Sequence, residues 1–156
     1  MGARNDVSVD RLATLRLFDC CTRDELEEIR GISRAVAVEA GRDVCRQGEY
    51  EREFFVVNAG QFAVERDDEL IAKLGAGEWF GEIALNSGCM RTATVTSITR
   101  SSLLVFNTRG YWSLRAICPD VADDIDAAMQ DRIDVLHARF DASLPDRRPQ
   151  GWRPRA

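Results

Sequence analysis

Leu12, Leu15 and Phe18 recur at helical spacing, which predicts a short first helix. Thr22 followed by Glu25 is a capping box, and Leu26 and Ile29 carry the apolar face of a second helix toward Gly31. From residue 35 the period changes. AVAVEAG reads as a strand turning at Gly41, and DVCRQGE as a short strand ending at Gly48. EFFVVNAG and QFAVERDD are two strands joined at Asn58-Ala59-Gly60, and the polar pair Asp67-Asp68 turns the chain into ELIAKLG. After a glycine-rich stretch, RTATVTSI and SSLLVFN alternate again. Helical period returns after Thr108 with Tyr111, Leu114 and Ile117. Pro119 stops that helix and opens a longer one through Val121, Ile125, Met129, Ile133 and Leu136 to about Phe140. Many short strands at even spacing predict a β-barrel or roll. The fold class is α+β: an antiparallel, jelly-roll-like β-roll flanked by N-terminal helices and two C-terminal helices. The expected boundaries are a tail over 1–9, one domain over 10–140 and a disordered Pro/Arg-rich tail over 141–156.

Length and composition agree with one globular domain. A chain of 156 residues buries roughly 68–70% of its unfolded surface, enough for a core without staples. The balance of 21 basic against 26 acidic residues, with a pI near 5.0, argues against a duplex-binding protein, which wants a basic face. Asp120, Asp123, Asp124, Asp126, Asp131 and Asp134 read as a solvated helix face, and the arginines of the last ten residues as a frayed tail. The start has no apolar core of a signal peptide, and no apolar run approaches the ~20 residues of a membrane span. Five cysteines at 20, 21, 45, 89 and 118, an odd number without C-x-x-C spacing, argue against a disulfide framework and a zinc site. Adjacent Cys20 and Cys21 make no ligand set alone. Reduced thiols in a cytoplasmic protein are the expectation. The one histidine, His137, leaves no Ser-His-Asp or Cys-His set, so no enzyme is expected and no metal or cofactor.

LGAGEWFGEIALNSGCMRTATV concentrates the chemistry. Gly75, Gly77 and Gly81 come within one residue of the dinucleotide fingerprint. That motif needs a full crossover helix, and too few residues separate it from the strand near Thr92. What the segment offers instead is a short helix over 82–86 after Gly81, with Arg91 arriving just beyond. A helix N-terminus presents unpaired N–H groups, and arginine adds a planar fork of donors matched to phosphate oxygens. Glycine at 81 lets a ligand approach the backbone. A carboxylate at Glu82 suits a sugar hydroxyl rather than the phosphate itself. These features fit a ligand with one phosphate and a free hydroxyl nearby.

FGEIAL followed by RTATV resembles the phosphate-binding cassette of cyclic nucleotide-binding domains, without a gap from Phe80 to Val95. With the glycines at 41, 48 and 60 and the flanking helices, the resemblance spans roughly 10–140. It implies cAMP or cGMP as ligand. Arg91 would pair with the exocyclic phosphate oxygens. The N–H groups of Ala84 and Ala93 would add donors. Glu82, helped by the Gly81 N–H, would hold the ribose 2′-hydroxyl. Ile83 lies within the same cassette. Val64, Ala72 and Leu74 would line the base pocket, and Arg132, in DRID on a lid helix, would reach the base. Each of these has a structural alternative as a core or surface residue. Thr92 permits cGMP without excluding cAMP; cAMP is favoured. The resemblance further implies a regulatory sensor that acts on an unknown effector protein and is compatible with a homodimer. With only 16 residues after Phe140, no DNA-binding domain is expected. The competing class is a non-catalytic interaction module that keeps the fold but does not respond to cyclic nucleotide.

Overall fold

The structure, a computed structural model, describes residues 7–88 and 90–140. Two helices and a 3-10 turn come first: α1 (Val9–Thr14), the turn Arg16–Phe18 and α2 (Arg23–Gly31). Eight strands follow, with α3 (Glu82–Ser87) between the sixth and seventh. They are β1 (Arg34–Val38), β2 (Asp43–Cys45), β3 (Glu53–Ala59), β4 (Phe62–Arg66), β5 (Glu69–Leu74), β6 (Trp79–Phe80), β7 (Thr94–Ser97) and β8 (Ser101–Asn107). The described chain closes with α4 (Thr108–Ile117) and α5 (Pro119–Arg139). The predicted antiparallel β-roll between helical ends is therefore the fold.

The strands form two four-stranded antiparallel sheets, in the orders β1-β8-β3-β6 and β2-β7-β4-β5. Burial explains their different sequence patterns. Phe54, Val56, Leu104 and Phe106 face the helices, in a cluster with Leu12, Phe18, Ile29, Tyr111 and Ile125. Phe55, Val57, Leu103 and Val105 face the other sheet and meet Phe62, Leu74 and Val95. The central strands β3 and β8 are thus covered on both faces, which is why FFVV and LLVF read as unbroken apolar runs. In β7 buried Val95 and Ser97 alternate with half-buried neighbours. The turn after β4 is a two-residue hairpin loop. Asp67 and Asp68 both take positive φ (50° and 64°), and Arg66 pairs with Glu69 across it.

Two expectations are corrected, and one strand lies beyond them. Leu12, Leu15 and Phe18 share one apolar face but not one helix. Leu15 is extended (φ −81°, ψ 127°) and separates α1 from the 3-10 turn. The tail expected over 1–9 is too long, because Ser8 caps α1 by accepting from the Arg11 N–H and because Val7 and Val9 are core residues. Strand β6 was not anticipated. It is two residues long, too short for any period, and exists through pairing of Phe80 with Phe55 and Trp79 with Val56. Residues 1–6 and the tail over 141–156 lie outside the described residues.

Candidate functional site

Gly81 sets the geometry of the site. Its φ of +97° is a left-handed conformation, and a Cβ there would stand 2.7 Å from the Glu53 carbonyl oxygen and 2.9 Å from the Arg91 guanidinium. Sequence reasoning assigned this glycine to close approach of a ligand; the atom it makes room for here is Arg91 Nη1. The chain then enters α3 at Glu82, and Gly88, also left-handed, ends it.

Arg91 is 4% exposed. Its backbone is pinned from both sides, its N–H donating to Glu49 O and its carbonyl accepting from Gly48 N, each at 2.9 Å. Its side chain crosses the Phe55 ring; Nη1 donates to Gly81 O (3.1 Å) and Nη2 to Glu53 O (2.7 Å). Nε, also buried, has no partner. Among the described residues no carboxylate lies within ion-pairing distance of Arg91. Carbonyl oxygens supply hydrogen bonds but no countercharge, so this guanidinium is buried without compensation, an arrangement that costs several kcal/mol per ion unless an anion joins it.

Glu82, 1% exposed, faces a different cation. Its Oε1 accepts from Arg132 Nη1 at 2.5 Å, and the Arg132 guanidinium lies over the Trp79 ring at 5.7 Å. Arg132 comes from α5, whose last turns pack on the site: Ile133 and Leu136 cluster with Ile83, joined by Ile71, Met129 and Phe140. Arg139 also bonds to Glu69 of β5. The long helix therefore lies across the mouth of the pocket.

A second chain of polar contacts ties α3 to α5 from behind. Asn86 Nδ2 donates to Glu82 O (2.8 Å) and to Tyr111 Oη (2.5 Å). Arg115 stacks against Tyr111 and Trp112 and holds Asp126 of α5 through two bonds of 2.8 and 2.9 Å. Burial pushes the Tyr111 hydroxyl up, against the Asn86 and Arg115 contacts. The Asp126 bond, opposed by burial, raises Arg115.

All ten residues nominated from sequence surround one cavity of about 240 Å³. Val64, Ala72 and Leu74 of the sheet line it, with Gly81–Ala84 at the start of α3, Arg91, Thr92 and Ala93 after that helix, and Arg132 from α5. Such a space suits one small ligand rather than a peptide. His137 is exposed and not among the lining residues. Sequence reasoning missed Cys45, Ile71, Phe80, Val95, Asp131, Val135 and Leu136. Ile71 was not legible, since strand neighbours alternate faces and it joins Ala72 at the cavity only beside a register shift between β4 and β5; Val135 and Leu136 were legible as the turn after Arg132. Cys45 carried no signal, since β7 brings it there through Val95. Burial first, countered by Arg91, pushes its thiol up to about 12, so it lines the pocket as a neutral group.

A β-roll with a buried, uncompensated arginine facing a cavity under a C-terminal helix defines a domain built to enclose a small anionic ligand. Comparison with known proteins names the class. The cyclic nucleotide-binding domain profile matches residues 35–116, and the chain belongs to that family. It is 36% identical over 114 residues to a cyclic nucleotide-gated potassium channel of Rhizobium etli, covering 73% of this chain and 32% of that one. It is 35% identical over 105 residues to the mouse cyclic nucleotide-gated channel alpha-4, covering 62% and 18%. The chain thus spans about a third or less of the length of these curated relatives. Among solved structures, cAMP-bound PfPKA-R superposes with a TM-score of 0.78 at 18% identity, over 86% of this chain and 47% of that one. The Thermus thermophilus catabolite activator protein gives 0.70 at 23% identity, over 80% and 61%. Among the described residues no helix is long and apolar enough to cross a membrane.

Proposed function

We propose that this domain is a regulatory sensor that binds one cyclic nucleotide, cAMP in preference to cGMP, in the cavity under α5. The observation that carries the reading is Arg91: buried and, among the described residues, hydrogen-bonded only to carbonyls, with Nε unpaired and no countercharge. A cyclic phosphate supplies the missing anion in this reading, and Ala84 and Ala93, which line the same cavity, add backbone N–H donors to it. The ribose 2′-hydroxyl goes to Glu82, and the base to the wall of Val64, Ala72 and Leu74. That wall is apolar, which supports the less polar-edged adenine over guanine, since buried polar groups need partners. Thr92 is the hydroxyl through which guanine would be read.

Transmission in this reading runs through Glu82. The ribose takes over the carboxylate that Arg132 now holds, and Arg132 turns toward the base, so ligand and α5 exchange partners at one residue. Nucleotide binding shifts the position of α5 only by its differential affinity for the two arrangements.

Calorimetric titration of cAMP and cGMP against the wild-type chain and Arg91→Ala tests the reading. A charge-assisted bond is worth roughly 1.5–3 kcal/mol, so loss of Arg91 weakens binding at least tenfold. Saturation at 100 times the dissociation constant stabilises the fold by about 2.7 kcal/mol, visible as a melting shift. Heat from neither nucleotide would move the domain to the interaction-module class.

A further inference from the structure

Among residues that do not line the cavity, three thiols meet. Cys20 and Cys21 follow the 3-10 turn, and the chain turns tightly there, Cys21 N donating to Phe18 O at 3.1 Å, before Thr22 caps α2. Cys118 is the junction between α4 and α5. Its N–H closes the last turn of α4 on Leu114 O, and its carbonyl accepts from Val121 and Ala122 in the first turn of α5. The three Sγ atoms lie within 4.8 Å of one another. Cys118 is buried, Cys21 half-buried and Cys20 exposed, so the cluster is fixed at its base and open to solvent at one side. The sequence reading set a metal site aside because Cys20 and Cys21 lacked further ligands at metal spacing. The third ligand comes from the far end of the fold.

We propose that Cys20, Cys21 and Cys118 form a binding site for a single zinc ion, which clips the N-terminal helical segment to the start of the lid helix. Three sulfurs from two separate segments converge on one point, and soft thiolates select such ions. Three protein ligands with one open side match a zinc site that keeps a solvent position. Binding needs no oxidant: the metal replaces the thiol protons, which leave to solvent, as zinc–sulfur bonds of ~2.3 Å form. Three thiolates around a divalent ion carry one net negative charge, which the N-terminus of the 21-residue α5 favours. The consequence lies in the placement of Cys118. It is the last residue before α5, and the 3-10 turn that precedes Cys20 and Cys21 packs against α5. A metal there restrains the base of the lid whose far half covers the nucleotide pocket. This regulatory half rests on the lid reading above; the metal site does not.

The test uses the full chain, reduced with a phosphine and freed of metal. Zinc is titrated in competition with a chromophoric chelator, and cadmium is used to record thiolate charge-transfer absorption. One equivalent of zinc per chain with a three-thiolate cadmium signal is expected. Cys20→Ser, at an exposed position that leaves the core intact, should reduce the cadmium signal to two thiolates and weaken zinc at least tenfold; Cys118→Ser should do the same or more. Failure to take up zinc, or uptake that both variants leave unchanged, overturns the site. cAMP is then titrated with and without bound zinc. An equal change in cAMP affinity and, reciprocally, in zinc affinity supports the clip, as linkage requires. Zinc binding that leaves cAMP affinity unaltered overturns the coupling. A chain that binds zinc but no nucleotide overturns the lid reading and leaves the metal site standing.

Discussion

Arg132 Nη1 donates to Glu82 Oε1 at 2.5 Å, so the lid helix holds, through its own arginine, the pocket's most buried carboxylate. Glu82 cannot change partner without a donor to replace the guanidinium. A buried carboxylate left bare costs more than the pair it belonged to was worth. That relationship makes the pair a stabilising contact and, in the function proposed above, the point at which a sugar hydroxyl would compete.

Arg132→Ala should therefore destabilise the ligand-free domain by about 1–3 kcal/mol, a figure kept below that of a fully buried pair because Arg132 is 31% exposed. Urea unfolding monitored by circular dichroism measures it. The loss should shrink in saturating cAMP, where the ribose hydroxyl replaces the guanidinium as donor to Glu82. An equal loss with and without nucleotide would separate Glu82 from the ligand.

Gly81→Ala combines a left-handed backbone with a Cβ that meets both the Glu53 carbonyl and Arg91. Backbone strain of this kind costs of order 1–3 kcal/mol. Displacement of the guanidinium should cut nucleotide affinity as well, beyond the loss in stability. Thermal melting and calorimetry on the same variant read the two effects, and unchanged affinity would show that Arg91 has another way to reach the ligand.

Arg115 and Asp126 join α4 to α5 through two short parallel bonds, with side chains 18% and 35% exposed. A double-mutant cycle with Arg115→Ala and Asp126→Ala should give a coupling energy of roughly 1–2 kcal/mol, within the range of directly contacting pairs. Arg115 also stacks on Tyr111 and Trp112, so its single variant should cost more than that of Asp126.

Cys45 supplies a pH dependence of known sign. Burial raises its thiol from 9.0 to about 12; Glu51, Glu53 and Glu82 add to the rise and Arg91 opposes it. The folded state thus favours the neutral thiol. Its contribution to stability is complete below pH 9 and is lost as pH rises from 9 toward 12, by up to about 1.4 kcal/mol per pH unit. Between pH 8 and pH 10, wild type should lose more stability than Cys45→Ala, in which the other alkaline groups titrate alike. Parallel losses in the two proteins would contradict it.

Much of this site was legible before any coordinates, for a local reason. Gly81, Glu82, Ile83 and Ala84 are consecutive, and Arg91, Thr92 and Ala93 follow after one short helix, so their cooperation is written in adjacent residues. The capping box of Thr22 and Glu25 and the Asp67-Asp68 turn are equally local, each satisfied by backbone groups within a few residues. The break at Leu15 was not legible, because an apolar face with a spacing of three is served as well by two short pieces as by one helix. Nor was β6, whose two residues are a strand only through pairing with β3.

The sequence by itself determined the order of elements apart from β6 and the break at Leu15, since periodicity and turn chemistry are properties of neighbours along the chain, and it held the contiguous cassette whose resemblance points to the nucleotide-domain class. Tertiary structure alone decided the partners. It left Arg91 without a countercharge among the described residues and gave Glu82 to an arginine 50 positions away. It also carried Cys118 to Cys20 and Cys21. Those outcomes depend on which surfaces the sheets and helices bury together, and long-range packing leaves no period in the chain that makes it.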